Sequence, residues 1–435
     1  MRANRPLVAR SAAPVSHAYH NDVGGPIAQA SPLWKTRDYM LLWSGQVVST
    51  LGSTATSIVF PLLILALTNS PAAAGVASAL RAAPYLIFSL PVGALIDRWD
   101  RKRVMINCDV GRAIAVLTVP VALWLDALTI WQIYVVAFIE GSLFVFFNIA
   151  EVAALPRVVP AAQLPQAAAQ NEAAFGAVHI AGPSIGTFLF QTLGKGAPFI
   201  ADAISYVMSV ISLLLIKTDF RRVKAVSSGP LRAEIVEGLR WLWRKPLIRY
   251  MAFLTGGLNL VNAAVPLIVI VLAKQMGASD VEIGLIFSIG GIGGIVGSLV
   301  GGQIQKRFSF GQVIIAVIWI ETLLFPLYAL VPQFFLLGAI YALIYTMAPI
   351  YNVVQFSYRL SLIPDALQGR VNSTFRLLAF GFNPLGAAIS GILLEQFGAV
   401  PTVLVFALWY LVFAVLTTVN RHVRHAQPLA RGAVD

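Results

Sequence analysis

The 435-residue chain has a single cysteine, Cys108, so no disulfide can form within it. Its five histidines and that cysteine show no metal-ligand spacing, so no metal is expected. Charge is also scarce. Only 11% of the residues are charged, where a soluble domain carries about 25%. There is no Gly-x4-Gly-Lys-Ser/Thr, which excludes a nucleotide-driven pump on this chain, and no His-Glu-x2-His or Gly-x-Ser-x-Gly elbow. An enzyme is therefore not expected. The first ~30 residues lack the apolar core of a signal peptide and read as a disordered tail.

What is abundant is apolar sequence, at 58% of the chain. It falls into runs of about 20 residues, the length that crosses a bilayer as a helix. The spacing predicts twelve spans: 39–67, 73–96, 104–125, 130–155, 166–193, 197–216, 247–273, 281–304, 312–331, 334–362, 370–397 and 401–419. The fold class is all-α and polytopic, with twelve transmembrane helices in two pseudo-symmetric six-helix bundles. The predicted organisation is a tail over 1–34, a first bundle over 35–216, a linker over 217–246, a second bundle over 247–420 and a tail over 421–435.

The net charge of +12 does not indicate nucleic acid, because Lys and Arg gather on one side of the spans. With the amino terminus inside, the outer loops hold only Lys195 and Lys274. That imbalance predicts a plasma-membrane protein with both termini in the cytoplasm. In the linker, Leu231, Ile235, Leu239 and Leu242 recur at helical spacing beside Trp241 and Trp243. An amphipathic helix along the inner membrane surface is expected there, as a tether between the halves.

The halves resemble each other. Gly182-Pro183-Ser184-Ile185-Gly186 has a partner in Asn383-Pro384-Leu385-Gly386, and each follows an asparagine, Asn171 and Asn372, 201 residues apart. The charge knot from Gly93 to Arg103 has a weaker copy at Gly301 to Arg307, with Gln305 where an acid would stand. Duplicated bundles of this kind often carry a substrate path between them at mid-membrane.

Ionisable groups inside the spans are costly and so point to function. In the fourth span Glu140, Asn148 and Glu151 share one face, with Glu151 about 20° and Asn148 about 80° from Glu140 at 100° per residue. Glu140 is the leading proton-coupling carboxylate, with Arg81 as partner or substrate contact. Glu151 and Glu321 are further candidates, although Glu321 has no evident basic partner at its depth. Asp109 and Arg112 stand three apart and are expected to form a structural ion pair. His179 reads as a packing residue sooner than a proton relay. Gly182, Pro183 and Gly186 form either a helix kink or a tight packing face.

The pattern Gly93-x3-Asp97-Arg98-x2-Arg101-Lys102-Arg103 resembles the loop signature of the major facilitator superfamily. Tyr39-x3-Trp43-x2-Gln46-x2-Ser49-x2-Gly52, Asp109-x2-Arg112 and Gly369-Arg370-Val371 add to the likeness. Together they resemble the branch with siderophore exporters and macrolide-efflux-like proteins. The resemblance implies that Gly93, Asp97, Arg98 and Arg101 gate the cytoplasmic side against the start of the eleventh span. It also associates the Gly-Pro pattern with proton-exchanging exporters. The expected function is secondary active export of a drug, siderophore or secondary metabolite by proton antiport. A proton-linked importer or facilitator, or a non-transporting receptor on the same fold, are the alternatives. The expected partners are the small-molecule substrate, protons and the bilayer. No cofactor is expected beyond the proton gradient, and the chain is expected to be a monomer.

Overall fold

The computed structural model describes residues 32–96, 98–220, 231–364 and 367–426. The two tails over 1–31 and 427–435, Asp97, the linker residues 221–230 and residues 365–366 lie outside the described residues. The first half consists of α1 (Arg37–Thr68), α2 (Pro71–Ile96), α3 (Arg101–Trp124), α4 (Ile130–Val158), α5 (Leu164–Thr192) and α6 (Ala197–Leu215). The amphipathic helix follows as α7 (Leu231–Arg244). The second half consists of α8 (Pro246–Gln275), α9 (Asp280–Arg307), α10 (Phe310–Leu324), α11 (Phe334–Leu362), α12 (Gln368–Phe380), α13 (Asn383–Phe397) and α14 (Ala399–Val419), with a last turn α15 (Arg421–Arg424). Counting α12 and α13 as one crossing, twelve segments are long and apolar enough to span a membrane.

Helix starts follow from local chemistry. Asp100 caps α3, accepting from the backbone N–H of Lys102 and Arg103. The acid in this loop is thus a helix cap. Ser279 with Glu282 and Ser309 with Gln312 form capping boxes at α9 and α10.

Two predicted spans are less regular than their sequence suggested. The eleventh was expected as one helix over 370–397, but α12 ends at Phe380 and α13 begins at Asn383. Pro384 has no N–H for the Phe380 carbonyl and its ring crowds that turn, so the α ladder stops there. Pro326 has the same effect in the ninth, where α10 gives way to a 3-10 turn over Phe325–Ala329. Pro183, by contrast, stands inside α5, which runs unbroken from Leu164 to Thr192.

Within the first half α1 packs on α5 and α6, α2 on α4, and α3 on α4 and α6. Within the second, α9 packs on α11 and α8 on α13. The halves touch mainly through two helix pairs, α2 with α13 and α5 with α9. These contacts lie toward the distal face, opposite the termini. A Cβ on Gly75 of α2 would stand 2.6 Å from the Ala387 carbonyl oxygen and 2.8 Å from Gly391 Cα, so the backbones touch there.

At that face each half caps a helix of the other. The Glu395 carboxylate, at the end of α13, accepts from the Ala72 N–H at 3.0 Å and from the Ser70 hydroxyl, at the start of α2. The Gln191 side-chain oxygen, at the end of α5, accepts from the Val281 N–H of α9 at 2.9 Å. Gln191 and Glu395 each stand three residues before the glycine that follows their helix, Gly194 and Gly398. Nearer mid-depth, the Ser184 and Ser288 hydroxyls meet at 2.6 Å. The halves are thereby joined at the distal end.

Candidate functional site

Four helices of the first half bring charge to one point. Glu140 of α4 is 1% exposed. Arg81 of α2 donates to both its oxygens, through Nε to Oε2 and through Nη2 to Oε1 at 3.2 Å. Arg112 of α3 donates from Nη2 to Glu140 Oε1 at 3.0 Å and to the Ser53 hydroxyl at 3.0 Å. Tyr206 of α6 donates to the same Oε1 at 3.4 Å, and its ring centre lies 4.2 Å from the Arg112 guanidinium. Behind them the buried Asp202 of α6 accepts from Thr56 at 2.7 Å.

The local sequence sets this reach. A Cβ on Gly141 would fall 2.0 Å from the Arg81 carbonyl oxygen. Only glycine lets the α2 and α4 backbones touch there, and that contact puts the Arg81 guanidinium beside the Glu140 carboxylate. Removing one partner of such a pair leaves a buried charge uncompensated, at a cost of about 3–5 kcal/mol.

The expected local pair of Asp109 and Arg112 is correspondingly loose. Their nearest N···O separation is 3.6 Å, and Arg112 makes its shorter contact with Glu140. Asp109 is fully buried and neither of its oxygens has a hydrogen-bond partner.

A cavity of about 720 Å³ lies between the halves, with Glu140 and Arg81 on one wall. Its size suits a drug-sized ligand. Phe144 and His179 line it from the first half, and Tyr345, Arg376 and Phe380 from the second. Asn148 also faces it, but Glu151 is not among its lining residues. Glu151 lies near Gln46 of α1 instead. Glu321 is buried in the second half, away from the cavity, with its Oε2 unpartnered.

Of the gate residues, Asp97 is outside the described residues. Arg98 is exposed. Arg101 is buried and donates to the Ala153 carbonyl of α4 at 2.8 Å, which ties it to its own half. A Cβ on Gly93 would meet nothing within 4 Å. Gly182 and Gly186 face α1, where a Cβ would come 2.9 Å from Thr54 Cβ and 2.4 Å from the Ala55 carbonyl oxygen. Pro183 lines the cavity.

Sequence reasoning missed Asp202, Tyr206, Arg359 and Arg376. The first three lie inside apolar runs, a signal that was available. Arg359 of α11 is buried, with its guanidinium 3.8 Å from the Phe375 ring centre. Arg376 of α12 stands 6.0 Å from the Tyr85 ring centre, and Tyr85 meets Phe380 edge-on at 5.5 Å.

Comparison with known proteins agrees with this architecture. The chain is 28% identical to multidrug efflux pump Tap of Mycolicibacterium fortuitum over 380 residues, covering 84% of this chain and 91% of the relative. It is 27% identical to macrolide efflux protein A of Streptococcus pyogenes, with the same coverage. In structure it superposes on the nucleoside transporter NupG with a TM-score of 0.70 at 15% identity, covering 87% of this chain and 98% of NupG. A bacterial homologue of the human lysosomal transporter Spinster, solved inward-facing and unoccupied, gives a TM-score of 0.70 at 12% identity over 88% and 96% of the two chains. Residues 42–382 match the profile of the Major Facilitator Superfamily. With twelve spans, a cavity between two six-helix halves and that match, the chain belongs to the Major Facilitator Superfamily.

Proposed function

We propose that this membrane transporter exports a small organic molecule in exchange for protons, by alternating access. The observation that carries the reading is Glu140, a buried carboxylate held between Arg81 and Arg112 on the cavity wall. A proton arriving on Glu140 cancels its charge and frees Arg81, which changes both the cavity and the balance between α2 and α4. Losing that proton restores the pair. A buried ion pair that can be opened by one proton and reclosed is a switch that links the gradient to the cavity.

The side preference of Lys and Arg supports cytoplasmic termini in the plasma membrane. The distal closure is then extracellular and the cavity faces inward, ready to load from the cytoplasm. The return to the outward state brings the terminal ends of the halves together. The open space beside Gly93 suits it for that approach, with Arg98 and Asp97 in the same loop. The unit of transport is a monomer, since one chain forms the whole cavity. Relatives named for multidrug and macrolide efflux support export over import.

The test is transport in proteoliposomes of known orientation under an imposed pH gradient. Proton release from the inward-facing side should accompany substrate movement, and Glu140→Gln should abolish it. Undiminished, gradient-driven export by Glu140→Gln would reject Glu140 as the coupling group. Uptake in place of export would reject the direction.

A further inference from the structure

We propose that the cavity takes an organic anion, an aromatic or amphipathic molecule with a carboxylate or comparable acidic group, and that Arg376 holds that group. The inference rests on reading this cavity as the substrate path.

The lining has one carboxylate, Glu140, against two arginines, Arg81 and Arg376. Both Glu140 oxygens already accept from guanidinium groups, and one also from the Tyr206 hydroxyl. A cationic ligand therefore finds no unoccupied carboxylate on these walls. Arg81 is likewise committed. Arg376 is not: it has no ion-pair partner among the described residues, and its guanidinium faces the Tyr85 ring.

Its position puts an exposed cation on the cavity wall. Arg376 lies eight residues into α12 from Gln368, about 12 Å along the helix axis. A cation at that depth needs a partner or a water-filled space. The nearby Arg359 adds a second positive charge to the same region and is itself stacked on Phe375, with its Nε unpartnered. The first half balances its own arginines with Glu140, Asp109 and Asp202. In the second half Arg376 lines the cavity, while Arg359 is buried against Phe375. A guanidinium fork binds a carboxylate through two parallel hydrogen bonds. The Tyr85 and Phe380 rings beside it supply an aromatic wall for the rest of the molecule.

Three pyrene probes test this: pyrenebutyrate, its primary amide and pyrenebutylamine. They share the apolar body and differ in charge. Binding is measured by fluorescence on the purified full chain in nanodiscs, with empty nanodiscs as background. The carboxylate should bind at least tenfold more tightly than the amide, and the amine most weakly. Arg376→Gln should bring carboxylate and amide within twofold of each other. Arg376→Lys, which keeps the charge but loses the fork, should retain at least a threefold preference.

Amide or amine binding as tight as the carboxylate overturns the proposal, as does an unchanged ratio in Arg376→Gln or no binding of any probe. The ranking on the natural sequence needs no variant, so a poorly folded Arg376→Gln does not shield the idea. A carboxylate preference without uncoupler-sensitive export would sink the export reading and keep the anion. Uncoupler-sensitive export of the amine alone would do the reverse.

Discussion

The Arg81–Glu140–Arg112 network makes a graded prediction about stability. In Glu140→Gln, two arginines lose their shared carboxylate, and one amide face presents N–H groups to donors. Glu140 and Arg112 are each 2% exposed by side chain, so the expected cost is near the full value for breaking a buried pair, about 3–5 kcal/mol. Arg81→Gln should cost less. Its side chain is 25% exposed, and Glu140 keeps Arg112 at 3.0 Å and Tyr206 at 3.4 Å. A cost of about 1–2 kcal/mol follows once solvent screening is allowed for. The double variant removes a neutral pair, so the remaining charge is that of the natural protein. It should be less destabilised than the sum of the singles by about 2 kcal/mol, a coupling energy usual for residues in direct contact. Thermal unfolding of the three purified variants in one detergent measures the order. Additivity within about 0.5 kcal/mol, or Arg81→Gln falling below Glu140→Gln, would refute the network as drawn.

Other expectations concern the closures and caps. Gly75→Val should hold the distal face apart, since its Cβ would stand 2.6 Å from the Ala387 carbonyl oxygen; cross-linking between cysteines placed at 70 and 395, in a Cys108→Ala background, should drop severalfold. Gly386→Val should yield little folded protein on size-exclusion chromatography, because a Cβ there would fall 1.9 Å from the Leu260 carbonyl oxygen, within one bundle. Asp100→Ala should lower stability by about 1 kcal/mol by uncapping α3; an unchanged unfolding midpoint would count against the cap.

The fold was legible because bilayer-length apolar runs have few alternatives to a helix. All twelve expected spans correspond to crossings in the structure. The two interrupted ones were not legible, because whether a proline breaks a helix depends on its surroundings. Pro183 is retained within α5, while its counterpart Pro384 begins a new helix. At the site, the sequence pointed to Glu140 and Arg81, but spacing rules see only one helix at a time. Arg112 was matched with Asp109, its neighbour three residues away, while its shorter contact is with Glu140 on a different helix. Arg376 escaped notice for another reason. It sits in the polar first part of the eleventh span, where a basic residue is easily taken for a boundary.

The reciprocal caps at the distal face have a consequence for the path of opening. Each half has an acceptor near the end of its capping helix, a carboxylate on one side and an amide on the other. Hydrogen bonds to an ionised acceptor are roughly twice as strong as neutral ones. Glu395 also takes two donors, against the one shown for Gln191. At the distal tips the seam between α5 and α9 should therefore part before the seam between α2 and α13, with Ser184 and Ser288 holding α5 to α9 further in. Separation that starts on one side swings the halves about the other, so the outward transition acquires a lateral tilt. A molecule leaving the cavity would meet a slot beside α5 before it meets a round mouth.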